Sequence, residues 1–278
     1  MEFESRTIRV DGADTHYLEG GNLDGETIVL IHDGGFGADG WMTWKPIMPL
    51  LAARHRLFAP DLLGFGGTQK IYDFGEGARS QKINHIARWM NALDIRNAHF
   101  IGNSLGGSLI LFAAMRSDWP IHKGVSISGT GGPFMRPDPY APLRDYAPGR
   151  DAMRRIVELM VSRRDAEMDE LVEARYQRSL IRGHWENLSA PRLRPPGQKS
   201  ARDAGDAKFF ENLGRIRAPM LFVAGGADEL LDPGWESQFT SRIAGAKSVV
   251  IDGARHQPQY DAAEKLSDAI ESFLHGDN

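Results

Sequence analysis

Residues 101–107 have the sequence IGNSLGG, in which a serine stands between two glycines directly after an apolar run. The residues before it, from Ala98 to Ile101, have the composition of a buried strand, and those after it favour a helix. A serine on so sharp a strand-to-helix turn is forced toward an unfavourable backbone conformation, and Gly102 and Gly106 let neighbouring chain approach closely. The pattern predicts that the Ser104 hydroxyl is presented above a sheet, in the position of a nucleophile.

The composition is that of a globular chain. It has 278 residues, of which 41% are hydrophobic and 25% charged, enough to bury a full core. A formal net charge of −4 gives no indication of a nucleic acid or membrane partner. The absence of cysteine excludes disulfides, thiolate metal sites and a thiol nucleophile. No basic and apolar leader opens the chain and no apolar run has the length of a membrane span, so we expect a cytoplasmic protein.

Short apolar runs alternate with helical segments through the first half of the chain, and sheet signals resume at Met220. This alternation is typical of an α/β fold with a mostly parallel central sheet and helices on both of its faces. The opening two runs have the pattern of a hairpin, and an amphipathic helix is expected at 262–274. The predicted strands are 6–10, 15–18, 27–31, 56–60, 98–101, 123–128, 220–224 and 248–251.

Residues 133–206 interrupt this alternation. They contain no strand signal, but have helix-like segments near 151–161 and 165–180 and a proline- and arginine-rich end. We predict a helical lid inserted into one core domain, which is formed by residues 1–132 and 207–278.

A serine hydroxyl needs a general base and the base needs a carboxylate that orients it. Among the nine histidines, His256 is the best candidate because it follows the last predicted strand. Asp228 follows the strand before that one, so it belongs at the same sheet edge; Glu229 and Asp232 are its rivals. The chain order Ser104, Asp228, His256 is that of an α/β-hydrolase triad.

Backbone amides near the serine would have to stabilise the charge of a tetrahedral intermediate. Residues 32–37, with the sequence HDGGFG, follow a predicted central strand, and the amide of Gly34 is expected to pair with that of Leu105 as an oxyanion hole. A turn selected only for flexibility is the alternative. A phosphate-binding loop is disfavoured because the glycine spacing and the missing lysine fit neither common motif.

These residues resemble the α/β-hydrolase superfamily over essentially the whole chain, and within it the meta-cleavage product hydrolases of aromatic-compound degradation. The elbow with Asn103 before the serine, the glycine-rich loop followed by Trp41, and the segment EARY at 173–176 are similar to that family. The resemblance implies that Gly35, Asn103 and Arg175 bind substrate, with Arg175 holding the dienoate acid.

The resemblance also implies a reaction. The family hydrolyses a C–C bond of a vinylogous 1,5-diketone acid to a carboxylic acid and a hydroxydienoate, after ketonisation of the substrate. Either Ser104 or a water assisted by His256 then attacks the carbonyl. No metal or organic cofactor is implied, the partner is an acidic or ketone small molecule, and such enzymes are often homo-oligomers.

The chain departs from the family pattern at four positions. Gln257 follows the histidine where many members have tryptophan, Thr43 stands for an asparagine and Phe36 for a proline. Asp33 is unusual in the glycine-rich loop, and we expect its side chain to point outward and cap the turn. These differences bear on the substrate more than on the chemistry.

Two other functions use the same residues. An esterase, lactonase or amidase would need the same triad and oxyanion hole with a different lid, and a binding module of this fold could keep the triad without turnover. Epoxide hydrolases and haloalkane dehalogenases are disfavoured because they use an aspartate nucleophile where this chain has Ser104.

Overall fold

The computed structural model describes residues 2–193 and 208–276. Eight strands form one sheet in the order β1-β2-β4-β3-β5-β6-β7-β8. Strand β2 is antiparallel to β1 and β4, and the other neighbouring pairs are parallel. The strands are β1 (Phe3–Val10), β2 (Ala13–Gly21), β3 (Thr27–Ile31), β4 (Arg56–Pro60), β5 (Ala98–Asn103), β6 (Ile121–Ile127), β7 (Met220–Gly225) and β8 (Lys247–Ile251).

Helices lie between and after these strands. They are α1 (Gly40–Trp44), α2 (Met48–Leu51), α3 (Ala78–Ala92), α4 (Leu105–Arg116), α5 (Pro137–Arg144), α6 (Arg150–Met160), α7 (Ala166–Ser179), α8 (His184–Ser189), α9 (Trp235–Thr240), α10 (Pro258–Asp261) and α11 (Ala263–His275). The predicted fold class, an α/β sheet of mostly parallel strands covered by helices, is confirmed.

The sheet is buried on both faces. In β3, Val29 and Ile31 pack into one apolar cluster, while Ile28 and Leu30 pack into another on the opposite face. Successive side chains of a strand point to opposite faces, so a continuous apolar run is the expected sequence of a central parallel strand. The parallel strands end at one sheet edge, which places the loops after β3, β5, β7 and β8 together.

Between β6 and β7 the described residues carry the helices α5 to α8, which we call the cap. Helices α6 and α7 fall within about one residue of the helices predicted from sequence. Met153, Ile156, Val157 and Met160 of α6 recur at helical spacing and pack in a third apolar cluster. The predicted end of the lid at 206 lies outside the described residues, and the division into core and lid stays a prediction.

Among the helices of residues 2–193 and 208–276, none combines the length and the apolar character needed to cross a membrane.

Candidate active site

Ser104 occupies the turn between β5 and α4 with φ 54°, in the left-handed region that residues with a side chain rarely adopt. Its amide donates to the Ile127 carbonyl at 2.8 Å, which ties the turn to β6. A Cβ on Gly102 would lie 2.3 Å from the Gly106 backbone, and one on Gly106 would lie 2.0 Å from the Ile31 oxygen. The two glycines are therefore required by close packing of backbone, as the sequence predicts.

Three side chains from three loops form one hydrogen-bonded chain. His256 Nε2 lies 2.9 Å from Ser104 Oγ, and His256 Nδ1 lies 2.8 Å from Asp228 Oδ2. Asp228 Oδ1 accepts the Leu230 amide at 2.9 Å, which fixes the carboxylate. This arrangement can remove the serine proton and stabilise the imidazolium that results.

The Asp228 carboxylate and the His256 imidazole stabilise each other's charged forms. Burial disfavours the charged form of His256, but the adjacent Asp228 carboxylate outweighs it and holds the pKa of His256 above its ordinary value. Burial would raise the pKa of Asp228, yet the attraction of His256 and the hydrogen bond between them keep it below its ordinary value. The carboxylate therefore stays ionised beside the imidazole at neutral pH.

Gly34 and Leu105 lie side by side, next to the turn that carries Ser104. A Cβ on Gly34 would come within 2.9 Å of the Leu105 side chain, and both residues line the same cavity as Ser104. The arrangement is compatible with the predicted pairing of their amides, which stays a prediction.

The cavity beside Ser104 has a volume of about 730 Å³. Gly35 lines it, which is compatible with the predicted contact with substrate, and that contact stays a prediction. Its walls are largely apolar, with side chains from the core and from the cap. They include Phe36, Met135, Leu143, Met160, Leu188, Leu230 and Leu231, together with Arg79, Arg144 and Arg192.

Asn103, the second predicted substrate-binding residue, is fully buried and does not belong to the cavity lining. Its side-chain amide donates to the His256 carbonyl at 3.0 Å and to the Ile127 carbonyl at 3.2 Å. The structure thus gives Asn103 a role in holding the histidine loop against β5 and β6.

Arg175, the predicted clamp for the substrate acid, is also fully buried and does not line the cavity. Its two terminal nitrogens donate to the two oxygens of Asp33, Nη2 to Oδ1 at 2.9 Å and Nη1 to Oδ2 at 3.2 Å. The expectation that Asp33 points outward is wrong, because its side chain is as buried as that of Arg175.

Three further donors surround the Asp33 carboxylate. Oδ1 accepts the Gly35 amide at 2.8 Å, and Oδ2 accepts the Thr43 hydroxyl and the Gln257 amide, each at 2.9 Å. Burial would raise the pKa of Asp33, but the charge and hydrogen bonds of Arg175, together with His32 and the Gly35 amide, lower it to about 2. Thr43 and Gln257, which in the sequence are only departures from the family pattern, therefore donate hydrogen bonds to this carboxylate.

The cap is joined to the segment between β3 and α1 at two more points. Arg178 Nε donates to Asp39 Oδ2 at 2.5 Å, and the Gly37 amide donates to His184 Nε2 at 2.9 Å. Burial lowers the pKa of His184 to about 4, consistent with a neutral acceptor. Sequence reasoning missed Arg178, Asp39 and His184, and no local pattern identifies them because their partners lie 139 and 147 residues away along the chain.

Two groups of potential metal ligands occur in the described part of the chain, Glu26–His99–His122 and His55–Glu271–His275. In each group the ligand atoms lie within 4.8 Å of one another. His99 and His122 stand near the start of β5 and β6, whereas Ser104 follows the end of β5. Neither group is therefore part of the site around Ser104.

The family is shown by a match of residues 28–269 to the model of the alpha/beta hydrolase family. The chain belongs to this family. It is 29% identical over 255 residues to a 2-hydroxymuconate semialdehyde hydrolase of Pseudomonas sp. (strain CF600), covering 90% of this chain and 87% of the relative. It is 32% identical over 193 residues to a 2-hydroxy-6-oxo-2,4-heptadienoate hydrolase of Pseudomonas putida, covering 68% and 69%.

A solved meta-cleavage product hydrolase from Pseudomonas fluorescens IP01 superimposes with a TM-score of 0.86. It is 25% identical and covers 98% of both chains. The resemblance to meta-cleavage product hydrolases that the sequence indicates is thus confirmed by relatives that carry these names.

Proposed function

We propose that the protein is a serine hydrolase that cleaves a C–C bond of a meta-ring-fission product, a vinylogous 1,5-diketone acid, to a carboxylic acid and a hydroxydienoate. The observation that carries the chemistry is the hydrogen-bonded chain of Ser104, His256 and Asp228 at the wall of the cavity. The choice of bond rests on the relatives, which are named as hydrolases of such dienoates and semialdehydes. A cytoplasmic location belongs to the same proposal.

The residues suggest the following course. The Ser104 hydroxyl bonds to the ketone carbon while its proton passes to His256 Nε2, and the amides of Gly34 and Leu105 stabilise the developing oxyanion. In the keto form of the substrate the C–C bond then breaks, its electron pair moves through the conjugated system to the 2-oxo oxygen, and the resulting dienolate takes the proton from the imidazolium to become the hydroxydienoate. Water activated by His256 releases the acid from Ser104.

An ester, lactone or amide is the second candidate substrate, because the same atoms perform acyl transfer. One observation favours it. Arg175, which the family resemblance assigns to the dienoate acid, is bound to Asp33 and does not line the cavity.

A panel of substrates separates the two candidates. Loss of the coloured dienolate is followed for several ring-fission products, beside hydrolysis of simple aryl esters at equal enzyme concentration. We expect kcat/KM to be higher for at least one ring-fission product than for every ester tested. Higher values for all esters would support the second candidate.

The control is the Ser104→Ala variant, with a fluorophosphonate probe applied to both proteins. Labelling of the wild type but not of the variant is expected if Ser104 is the activated nucleophile. A wild type that neither reacts with the probe nor turns over any substrate would favour a binding module.

A further inference from the structure

The carboxylate of Asp33 stands where an external carboxylate would have to bind Arg175. Both terminal nitrogens of the guanidinium are already engaged by the two oxygens, in the parallel geometry that arginine makes with a carboxylate. Neither side chain has exposed surface. The protein therefore supplies internally the anion that this arginine would otherwise take from a ligand.

This pair lies one layer behind the cavity wall. A Cβ on Gly35 would come within 2.8 Å of Arg175 Nη2, 2.9 Å of Asp33 Oδ1 and 2.8 Å of the Met160 methyl group. Gly35 and Met160 both line the cavity. Removal of the Asp33 side chain would thus open the space between the cavity and the guanidinium.

The five donors around Asp33 make displacement by a substrate acid unfavourable. A substrate acid would have to replace both hydrogen bonds that Asp33 accepts from Arg175. The displaced Asp33 carboxylate would then have to re-form its hydrogen bonds with Gly35, Thr43 and Gln257. An unpaired carboxylate at this depth would lose several charge-assisted hydrogen bonds.

We propose that Asp33 is the permanent counter-ion of Arg175 and withholds this arginine from the acid end of a substrate. Asp33 is then a specificity-determining residue, and Arg175 is a positioning residue that holds the glycine-rich loop to the cap. That the substrate carries an acid rests on the proposed function, whereas the pairing of Asp33 with Arg175 does not.

The first experiment measures an acid preference, defined as kcat/KM for a ring-fission acid divided by kcat/KM for its methyl ester. The double variant Asp33→Asn/Arg175→Met removes the pair without leaving a buried charge. We expect it to lower kcat for both substrates and to keep the wild-type ratio within about twofold. A fall of about tenfold or more, the size of a charge-assisted contact, would identify Arg175 as the acid anchor and overturn the proposal.

If the wild type hydrolyses no ring-fission product, the proposed function fails, and the ratio is measured instead with 4-nitrophenyl hydrogen glutarate and 4-nitrophenyl butanoate.

The second experiment measures acetate binding beside Arg175 after removal of the Asp33 side chain, and it requires no turnover. In Asp33→Ala, acetate at 100 mM should raise Tm by several degrees relative to chloride at equal ionic strength, because it refills the place of the carboxylate. The wild type and Asp33→Ala/Arg175→Met should change by less than about 1 °C. Equal shifts in all three proteins, or none in Asp33→Ala, would show that Arg175 does not receive a carboxylate here.

Discussion

Two buried carboxylates flank the cavity, and each is hydrogen-bonded to a basic side chain. Asp228 meets His256, whose ring reaches Ser104 and lines the cavity. Asp33 meets Arg175, which does not line the cavity. The histidine can gain and lose a proton near neutral pH, whereas the guanidinium keeps its proton at any pH the fold experiences.

The comparison shows that the partner of a carboxylate decides what the pair does. With an imidazole the pair can transfer protons for a reaction. With a guanidinium it fixes the geometry of the elements that carry it, here the glycine-rich loop after β3 and helix α7 of the cap. The substitutions below remove a partner of one pair or the other, and they are expected to differ in whether kcat or the free energy of unfolding changes.

The largest expected effect is on rate. Ser104→Ala should lower kcat by about 10⁵-fold or more, because the atom that attacks is lost. Circular dichroism should show an unchanged fold, and thermal stability should stay close to that of the wild type, since alanine keeps the Cβ that the turn already accommodates at φ 54°. A kcat within tenfold of the wild type would contradict the assigned nucleophile.

Asp228→Asn should lower kcat by about 10⁴-fold, because the amide cannot stabilise the imidazolium and favours the wrong tautomer of His256. The measurement is kcat with the best substrate of the panel. Glu229→Gln, at the neighbouring rival position, is the control and should remain within a few-fold of the wild type. A larger loss in Glu229→Gln than in Asp228→Asn would exchange their roles.

Arg175→Met should act on stability. It leaves Asp33 buried without its cation, and removal of one partner of a buried ion pair costs about 3–5 kcal/mol. Urea unfolding measures the loss. Asp33→Asn/Arg175→Met should recover most of it, since replacing both charged partners is often close to neutral; a double variant as unstable as the single one would show that packing, not charge, is decisive.

The pH profile separates the pairs without mutation. Catalysis needs neutral His256, and Asp228 holds the pKa of this group above the ordinary 6.5. kcat/KM should therefore rise with pH through a midpoint above 6.5, falling about tenfold per unit on its acid side. In Asp228→Asn the midpoint should move to lower pH, because the charge that raises the pKa of His256 is removed. An unchanged midpoint would show that another group is responsible for the acid side of the profile.

The smallest effect is expected for an exposed pair on the same cap. Arg150 on α6 donates to Glu173 on α7 at 2.8 Å, but both side chains are about half exposed and screened by solvent. Arg150→Met should leave the urea midpoint and kcat/KM unchanged within error. A change as large as that of Arg175→Met would mean that burial does not distinguish these arginines.

Much of the site was predictable because it depends on local order along the chain. Ser104, Asp228 and His256 each follow a strand, and parallel strands bring their carboxyl ends to one edge. The glycines of the elbow were predictable for the same reason, since a tight strand-to-helix turn needs them. The helices α6 and α7 followed from the spacing of their apolar residues.

The orientation of single side chains was not predictable. Asn103 precedes the nucleophile, and only the turn decides whether it faces the cavity or the histidine loop. Asp33 and Arg175 are 142 residues apart, and their pairing depends on how the cap settles on the core. Gln257 and Thr43 looked like departures from a pattern until the carboxylate between them was located.

The sequence by itself determined the α/β fold, the nucleophile elbow and the order of its three candidate catalytic residues, because periodicity and strand order are properties of neighbouring residues. The tertiary structure alone decided which charges meet. Burial makes an unpaired charge very costly, so Arg175, which the family resemblance assigns to the substrate acid, is bound to the protein's own Asp33.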